Sequence, residues 1–394
     1  MRNFELDQSE LQTSRADATK LAAEGHGASL AQRLGSGGEL DDKELTALFL
    51  CEDVATSDLV SLASALRPEG GPKIETFSPL YITNECDAEC LMCGMRSANQ
   101  DLQRATADHA TIEQQLDILH SRGLRGVALL TGEYRHGPMR QSMLKRTAEA
   151  LKAALDRGFT HVLINVGSIE EDEYESLLSG VPRREDGTLS PHITMCTFQE
   201  AYDPGSYRKF MGDTPENPRS DYLRRLTNFD RAAKAGMRSV NPGVLLGLNR
   251  DLAYEMLALL AHTRHLLARG LQVYISLPRL RKASGAEHVA GVSDDELTRI
   301  VAVLSAGIPK AKVVISTRER PEVQQQLLPM IGVLTAGSPG VAPYSLETTI
   351  FDAAASQFEV DDHRPIEEIM GDCLRAGATI EGYEPPGTTP AVAP

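Results

Sequence analysis

From about residue 75 onward, short apolar runs alternate with longer amphipathic segments. The runs at 77–83, 125–131, 160–166, 192–198, 238–246, 272–277 and 312–317 predict strands, with a weaker eighth at 331–335. Between them, residues 111–122, 139–157, 170–179, 219–235, 252–269, 293–305 and 321–329 carry apolar positions at three-to-four spacing and predict helices. Strand–helix alternation repeated seven or eight times predicts an α/β fold with a parallel sheet, and the count fits a (β/α) barrel of the TIM type. A doubly wound open sheet is the competing arrangement. In a barrel, chemistry gathers where strands end, so those ends are the candidate positions for functional groups.

The flanks differ from this core. Residues 1–74 read as a helical N-terminal extension, with apolar positions at Leu11, Ala18, Leu21 and Ala22 and a helical pair over 39–67. In that pair Ser57 is a candidate N-cap and Pro68-Glu-Gly-Gly a stop. The barrel is expected over 75–344, followed by a C-terminal extension at 345–384 that packs on it. That extension holds the short run Gln357-Phe-Glu-Val-Asp-Asp and a helix over 364–376, and the tail 385–394 reads as disordered.

Composition narrows the class. Over 394 residues, 41% hydrophobic and 24% charged content is that of an ordinary globular protein. A formal net charge of −15 argues against a nucleic-acid or acidic-membrane binder. No apolar leader follows Met1, and no run of about 18 apolar residues occurs. A reducing cytoplasm is therefore expected.

The chemistry is densest in Cys86-Asp-Ala-Glu-Cys90-Leu-Met-Cys93, directly after the first strand of the barrel. Three thiolates on one loop suit a cuboidal [4Fe–4S] cluster held at three irons, with the fourth left open to a small molecule. A structural zinc site would need a fourth Cys or His ligand, for which Cys196 or His192 would have to come from elsewhere. A disulfide framework does not fit six sparse cysteines in so long a chain.

Further candidates stand at the strand ends. The second barrel strand ends Thr131-Gly132-Glu133, where a glycine admits close backbone approach and a carboxylate can accept from an ammonium. Glu200 offers an acceptor to ribose hydroxyls, with Asn165, Ser168 and Gln199 beside it. Helix N-capping is the alternative role for these residues. Pro278-Arg279-Leu-Arg281 and Ser316-Thr-Arg318-Glu319-Arg320 close two later strands. An arginine at a barrel mouth suits bidentate carboxylate recognition. The loop Gly337-Ser338-Pro-Gly340 can offer N–H groups and a hydroxyl to an anion.

Together these elements resemble the radical S-adenosylmethionine (SAM) superfamily. Cys-x3-Cys-x2-Cys is similar to its signature, and Thr131-Gly-Glu resembles the Gly-Gly-Glu element that receives the methionyl amine. Arg225, eleven residues before Ala235-Gly236, matches the family arginine on the SAM carboxylate, and Arg224 would face solvent. The Ser-Thr-Arg-Glu and Pro-Arg-x-Arg elements resemble the aromatic amino acid lyases. That group includes 2-iminoacetate synthases, the tyrosine lyases of [FeFe]-hydrogenase maturation and the tryptophan-cleaving 3-methyl-2-indolic acid synthases of thiopeptide antibiotic biosynthesis. The stretches Pro79–Asn84, Thr194–Tyr202, Tyr207–Gly212, Val240–Leu248 and Gly337–Tyr344 resemble the last subgroup most. Met92, where most relatives have an aromatic residue, is shared with it.

The resemblance implies a carbon–carbon lyase with a [4Fe–4S] cluster on Cys86, Cys90 and Cys93. SAM would lie among Gly132, Glu133, Asn165, Ser168, Gln199, Glu200 and Arg225. Tyr81, Arg318 and Ser338 would hold an aromatic amino acid, with Arg318 on its carboxylate, and flavodoxin or ferredoxin would supply electrons. A hydrogen atom leaves the substrate amine. L-Tryptophan then yields 3-methyl-2-indolic acid, whereas L-tyrosine, the alternative, is cut between Cα and Cβ to p-cresol and dehydroglycine. A non-catalytic metal-binding protein is the alternative of a different class. Only Cys373 stands where hydrogenase maturases carry a second cysteine set, so carbon monoxide and cyanide production is not expected.

Overall fold

Ten short parallel strands form the centre of the computed structural model, which describes residues 2–67, 70–286 and 291–387. Among the described residues they are β1 (Lys73–Glu75), β2 (Ser78–Tyr81), β3 (Gly126–Leu130), β4 (His161–Asn165), β5 (Ile193–Cys196), β6 (Ser239–Asn241), β7 (Gln272–Ser276), β8 (Ala311–Ser316), β9 (Val333–Thr335) and β10 (Thr379–Glu381). They pair in the order β10-β1-β9-β8-β7-β6-β5-β4-β3-β2. Helices between them cover the outside, as parallel pairing requires.

The order explains the curvature. Only Thr76 and Phe77 separate β1 from β2, yet these strands lie near opposite ends of the pairing order. The sheet must therefore curl until its two ends meet through the chain itself. Hydroxyl groups stitch this seam: Thr76 Oγ1 donates to Leu334 O at 2.8 Å and Ser78 Oγ to Ala336 O at 2.6 Å. The result is a partial (β/α) barrel of the TIM type, as the alternation predicted, and not an open doubly wound sheet. All eight expected strands are present.

The N-terminal helices Gln8–Ala23, Asp42–Leu50 and Thr56–Ala65 pack on the outer barrel helices Leu252–Ala268 and Asp294–Gly307, and Gly27–Gly35 packs on Asp42–Leu50 and Thr56–Ala65. Leu252–Ala268 is thereby covered on both sides, and its buried residues run almost continuously from Leu252 to Leu260. Arg299 ties the layers together by donating to Phe49 O, Val54 O and Cys51 O at 3.0, 2.9 and 2.6 Å. These carbonyls lie at or just beyond a helix C-terminus, where the helix leaves them without partners.

Several local expectations are corrected. Ser57 is not an N-cap: the helix begins at Thr56 after Ala55, and the capping box belongs to Asp41 and Glu44 of the preceding helix. Predicted helix 219–235 is broken at Thr227 into Tyr222–Leu226 and Asn228–Lys234. An unpredicted helix, Pro204–Met211, covers the cysteine loop. β10, which pairs with β1, was also missed, and the run at Gln357 forms no strand but crosses the barrel mouth. Pro68 and Glu69 of the expected stop, and 388–394 of the expected tail, lie outside the described residues.

Candidate active site

A deep cavity opens at the C-terminal ends of the strands. It is lined by Cys86, Cys90 and Cys93 on one loop and by residues ending β2, β3, β4, β7 and β8. That loop is held from several directions. Leu91 N donates to Phe210 O at 2.9 Å, and Cys90 and Met92 pack with Tyr207, Phe210 and Met211. Gly132 lies against the loop, where an added Cβ would fall 2.0 Å from Glu85 O and 2.7 Å from Cys86 Cβ. Only glycine permits this approach.

The thiols fit a cluster. Burial pushes Cys86 up to about 11 and Cys90 up to about 12, so both need a compensating cation to be thiolates. Backbone N–H groups of Glu133 and Ala88 already point at Cys86 Sγ, at 3.3 and 3.4 Å. Among the described residues no three His, Cys, Asp or Glu converge as ligands of one ion. A cuboidal cluster takes one thiolate per iron, so its ligands need no such convergence. The zinc ligands considered from sequence stand elsewhere: Cys196 points its thiol at Asn241 Oδ1 inside the barrel, and His192 is exposed.

Beside the loop lies a compact ion network. Arg225 Nη1 meets Glu133 Oε2 at 2.9 Å and its Nε donates to Phe198 O at 2.6 Å. Arg219 reaches Glu200 at 2.6 Å and Glu133 at 3.5 Å. Ser168 N donates to Glu133 Oε1 at 3.0 Å, fixing that carboxylate. Gly167, at φ 79°, leaves room for it, since a Cβ there would overlap the Glu133 side chain. Glu200 itself adopts φ 70°, an uncommon backbone state for a glutamate, with its carboxylate among the cavity-lining groups.

The residues named from sequence divide as follows. Gly132, Glu133, Asn165, Glu200 and Arg225 line the cavity with the three cysteines. Ser168 does not: its hydroxyl is engaged by Arg231 at 2.8 Å and donates to Arg224 O, so its contribution is the backbone N–H on Glu133. Gln199 is buried without lining the cavity, and its Nε2 has no hydrogen-bond partner among the described residues. Arg224 does not face solvent but is half-buried, ion-paired with Glu170 and bonded to Ser168 O. Arg219 was missed, because it sits in an irregular segment whose reach to Glu200 depends on tertiary contacts.

Tyr81 and Arg318 also line the cavity. Tyr81 is 3% exposed and donates its hydroxyl to Gln357 Oε1 at 2.6 Å. Of the arginines ending β7 and β8, Arg279 is paired with Glu319 and Asp294, Arg281 with Glu319 and Asp361, and Arg320 with Asp294. Arg318 has no carboxylate partner among the described residues; its guanidinium stacks on Phe358, 3.4 Å from the ring centroid. Burial pushes its pKa down to about 10, against the opposing pull of Tyr81 and Glu200. Ser338 does not line the cavity directly, but its neighbours Gly337 and Pro339 do, and its buried hydroxyl has no partner among the described residues.

Further lining residues besides Arg219 escaped sequence reading. Gln357 and Phe358 arrive from the C-terminal extension, and Arg96, just beyond the cysteines, has a buried Nε without a partner. Deeper in, Phe77, Ala128, Leu163, Cys196 and Val314 form an apolar floor.

The chain is similar in sequence and fold to several known proteins. Residues 276–379 match the model of the Biotin and Thiamin Synthesis associated domain. The chain is 23% identical over 327 residues to 2-iminoacetate synthase of Escherichia coli (strain K12), covering 81% of this chain and 78% of that protein. The same enzyme of Salmonella typhimurium is 24% identical over 268 residues, covering 67% and 66%. Among solved structures, the FeFe-hydrogenase maturase HydG from Carboxydothermus hydrogenoformans superposes with a TM-score of 0.80 at 24% identity, over 95% of this chain and 84% of that one. Methylornithine synthase superposes with a TM-score of 0.68 at 18% identity, over 89% and 97%. These likenesses support reading the chain as a radical SAM carbon–carbon lyase, akin to the aromatic amino acid lyases, that works with a [4Fe–4S] cluster and S-adenosylmethionine.

Proposed function

We propose that the protein cleaves an aromatic L-amino acid held by Arg318 at the mouth of the barrel. The carrying observation is that Arg318 is the one arginine at the ends of β7 and β8 without a carboxylate, among the described residues, and it lines the cavity that the cysteines share. A substrate carboxylate supplies the missing partner in bidentate form. The Ser338 hydroxyl and Tyr81 assist, and the apolar floor of Phe77, Leu163 and Val314 takes the ring.

Cys86, Cys90 and Cys93 would hold the cluster. Glu133 would receive the amine of SAM, Glu200 its ribose hydroxyls with Asn165 and Gln199 nearby, and Arg225 its carboxylate. When bound, the reduced cluster and SAM supply a 5′-deoxyadenosyl radical, with flavodoxin or ferredoxin as electron source. The protein's own residues position the substrate amine, exclude water and fix which bond of Cα is aligned for scission.

Scission between Cα and Cβ is the favoured outcome. The curated relatives are named for 2-iminoacetate, which is the amino-carboxylate fragment left by that cut. L-Tyrosine would then give p-cresol. Conversion of L-tryptophan to 3-methyl-2-indolic acid is the second reading, supported by the Pro79–Asn84 and Gly337–Tyr344 stretches. The test offers both amino acids side by side to anaerobically reconstituted protein with dithionite and SAM, and identifies products by mass spectrometry. p-Cresol supports the first reading and 3-methyl-2-indolic acid the second. If 5′-deoxyadenosine forms but neither amino acid is consumed, the aromatic substrate is refuted.

A further inference from the structure

We infer that Gln357 couples the amino acid pocket to the cluster, donating its carboxamide N–H to the Cys93 sulfur while the Tyr81 hydroxyl holds its carbonyl. Gln357 Nε2 lies 3.4 Å from Cys93 Sγ, and Tyr81 donates to Gln357 Oε1 at 2.6 Å. One amide therefore touches both a cluster ligand and a residue of the proposed substrate site. Its orientation follows from chemistry: a thiolate only accepts, so the NH2 end must face Cys93 and the carbonyl end must face the phenol.

The backbone of Gln357 is fixed as firmly as its side chain. Gly94 N, next to Cys93, donates to Gln357 O at 3.0 Å, and Gln357 N donates to Pro339 O at 3.3 Å. A Cβ on Gly94 would fall 2.9 Å from Gln357 O and 3.0 Å from Ser356 O, so glycine is what lets the two segments meet. On either side the segment is pinned by Asn84 Nδ2 to Ala355 O, Gln103 N to Ala354 O and Glu359 N to Lys282 O, at 2.8, 2.7 and 2.8 Å. The next residue, Phe358, carries Arg318 on its ring. Residues 354–359 thus form a strap joining the cysteine loop, the phenol and the substrate cation.

Hydrogen bonds to cluster sulfurs raise the reduction potential, because they favour the more negative, reduced state. Gln357 is accordingly a positioning and tuning residue. Any rearrangement of Tyr81 around a bound amino acid is passed to Cys93 through this amide. The coupling arm rests on the amino acid pocket proposed above, whereas the Cys93 arm does not.

The experiment is an EPR-monitored redox titration of the reconstituted protein, without and with tyrosine, and with iron content measured in parallel. Gln357→Leu, which keeps the bulk and removes the donor, should shift the potential to more negative values at wild-type iron content. Tyr81→Phe should shift it the same way by less, and added tyrosine should move the wild-type potential but not that of Gln357→Leu. Should Gln357→Leu fail to take up iron, Gln357→Met and Tyr81→Phe carry the same readout. An unchanged potential in the donor-less variant overturns the inference. A shift in that variant with none in Tyr81→Phe overturns the coupling. Failure of wild type to turn over either aromatic amino acid would instead strike the proposed substrate, and leaves the ligand-free shift to decide the Cys93 contact.

Discussion

Arg318→Met should weaken binding of the aromatic amino acid and, at the same time, raise the stability of the ligand-free protein. With its pKa near 10, the guanidinium at pH 7 is charged in all but about one molecule in a thousand. A bidentate carboxylate pair makes two charge-assisted hydrogen bonds, each of about 1.5–3 kcal/mol. Losing the pair should cost about 3 kcal/mol, or roughly 150-fold in Kd. Arg318→Lys keeps the charge without the fork and should lose roughly tenfold. The stability effect has the opposite sign. Burial depresses the folded pKa below the unfolded value, so the charged form is disfavoured in the fold. That penalty is complete at every pH below about 10 and disappears only as pH rises past the unfolded value. Methionine carries no charge to penalise, so Tm should rise by roughly 1–3 °C, less the lost contact with Phe358. Anaerobic calorimetric titration with tyrosine reads the first effect and thermal unfolding the second. An unchanged Kd with a lower Tm would make Arg318 a packing residue. The same loss on Arg96→Met instead would move the carboxylate to that guanidinium.

Three further outcomes follow from the geometry. Gly132→Ala drives a Cβ into Glu85 O and Cys86 Cβ, so the variant should fold yet bind little iron on reconstitution, as read by iron assay and visible absorbance. Glu255 is buried and accepts from Tyr202 N at 2.7 Å, Asp203 N at 3.1 Å and Asn249 at 2.8 Å. Glu255→Ala should therefore cost about 2–3 kcal/mol by denaturant titration and loosen the corner that leads into helix Pro204–Met211. His161 and His262 are buried neutral, their pKa values pushed down to about 4 and about 3 mainly by burial. Since the unfolded chain takes up protons first, their contribution is complete above pH 6.5 and is lost as pH falls towards those values. Thermal melts from pH 7 to 4.5 should show this loss, and a His161→Asn variant should show a shallower slope.

The parts of the site that sequence revealed are the parts held by local chain. The cysteines lie within one loop, Gly132 and Glu133 end one strand, and Arg318 ends another. Alternation of strand and helix was legible because each unit is local and repeats. What stayed hidden depends on contacts between distant segments. Arg219 reaches Glu200 and Glu133 from an irregular stretch, and nothing in Pro218-Arg-Ser announces that direction. Ser168 looked like a ligand from its position, but tertiary packing gave its hydroxyl to Arg231 and left only its N–H for the site. The run at Gln357 is apolar and polar by turns, as in a strand, yet its backbone bonds go to Gly94, Pro339 and Lys282 on three different segments. β10 spans only Thr379–Glu381, too few residues for any period to register.

The charges around the cavity fall into two unlike halves, and in the proposed function the difference would separate cofactor from substrate. On the SAM side, Glu133 and Glu200 face Arg225 and Arg219, and the four groups neutralise one another before anything binds. A zwitterionic ligand entering there exchanges existing ion pairs for its own, so its net electrostatic gain is modest and its fit is set by geometry. On the opposite side, Glu319 has already taken Arg279 and Arg281, and Arg318 is left, among the described residues, with the face of Phe358 and the Arg279 carbonyl at 3.3 Å but no carboxylate. In the proposed function, a carboxylate arriving at Arg318 would gain a full charge pair and displace no carboxylate of the protein among the described residues. In the proposed function, selection for an amino acid carboxylate would follow from how the acidic residues are shared out among the arginines. The strap that carries Phe358 is what lets an unpaired cation persist there until a carboxylate arrives.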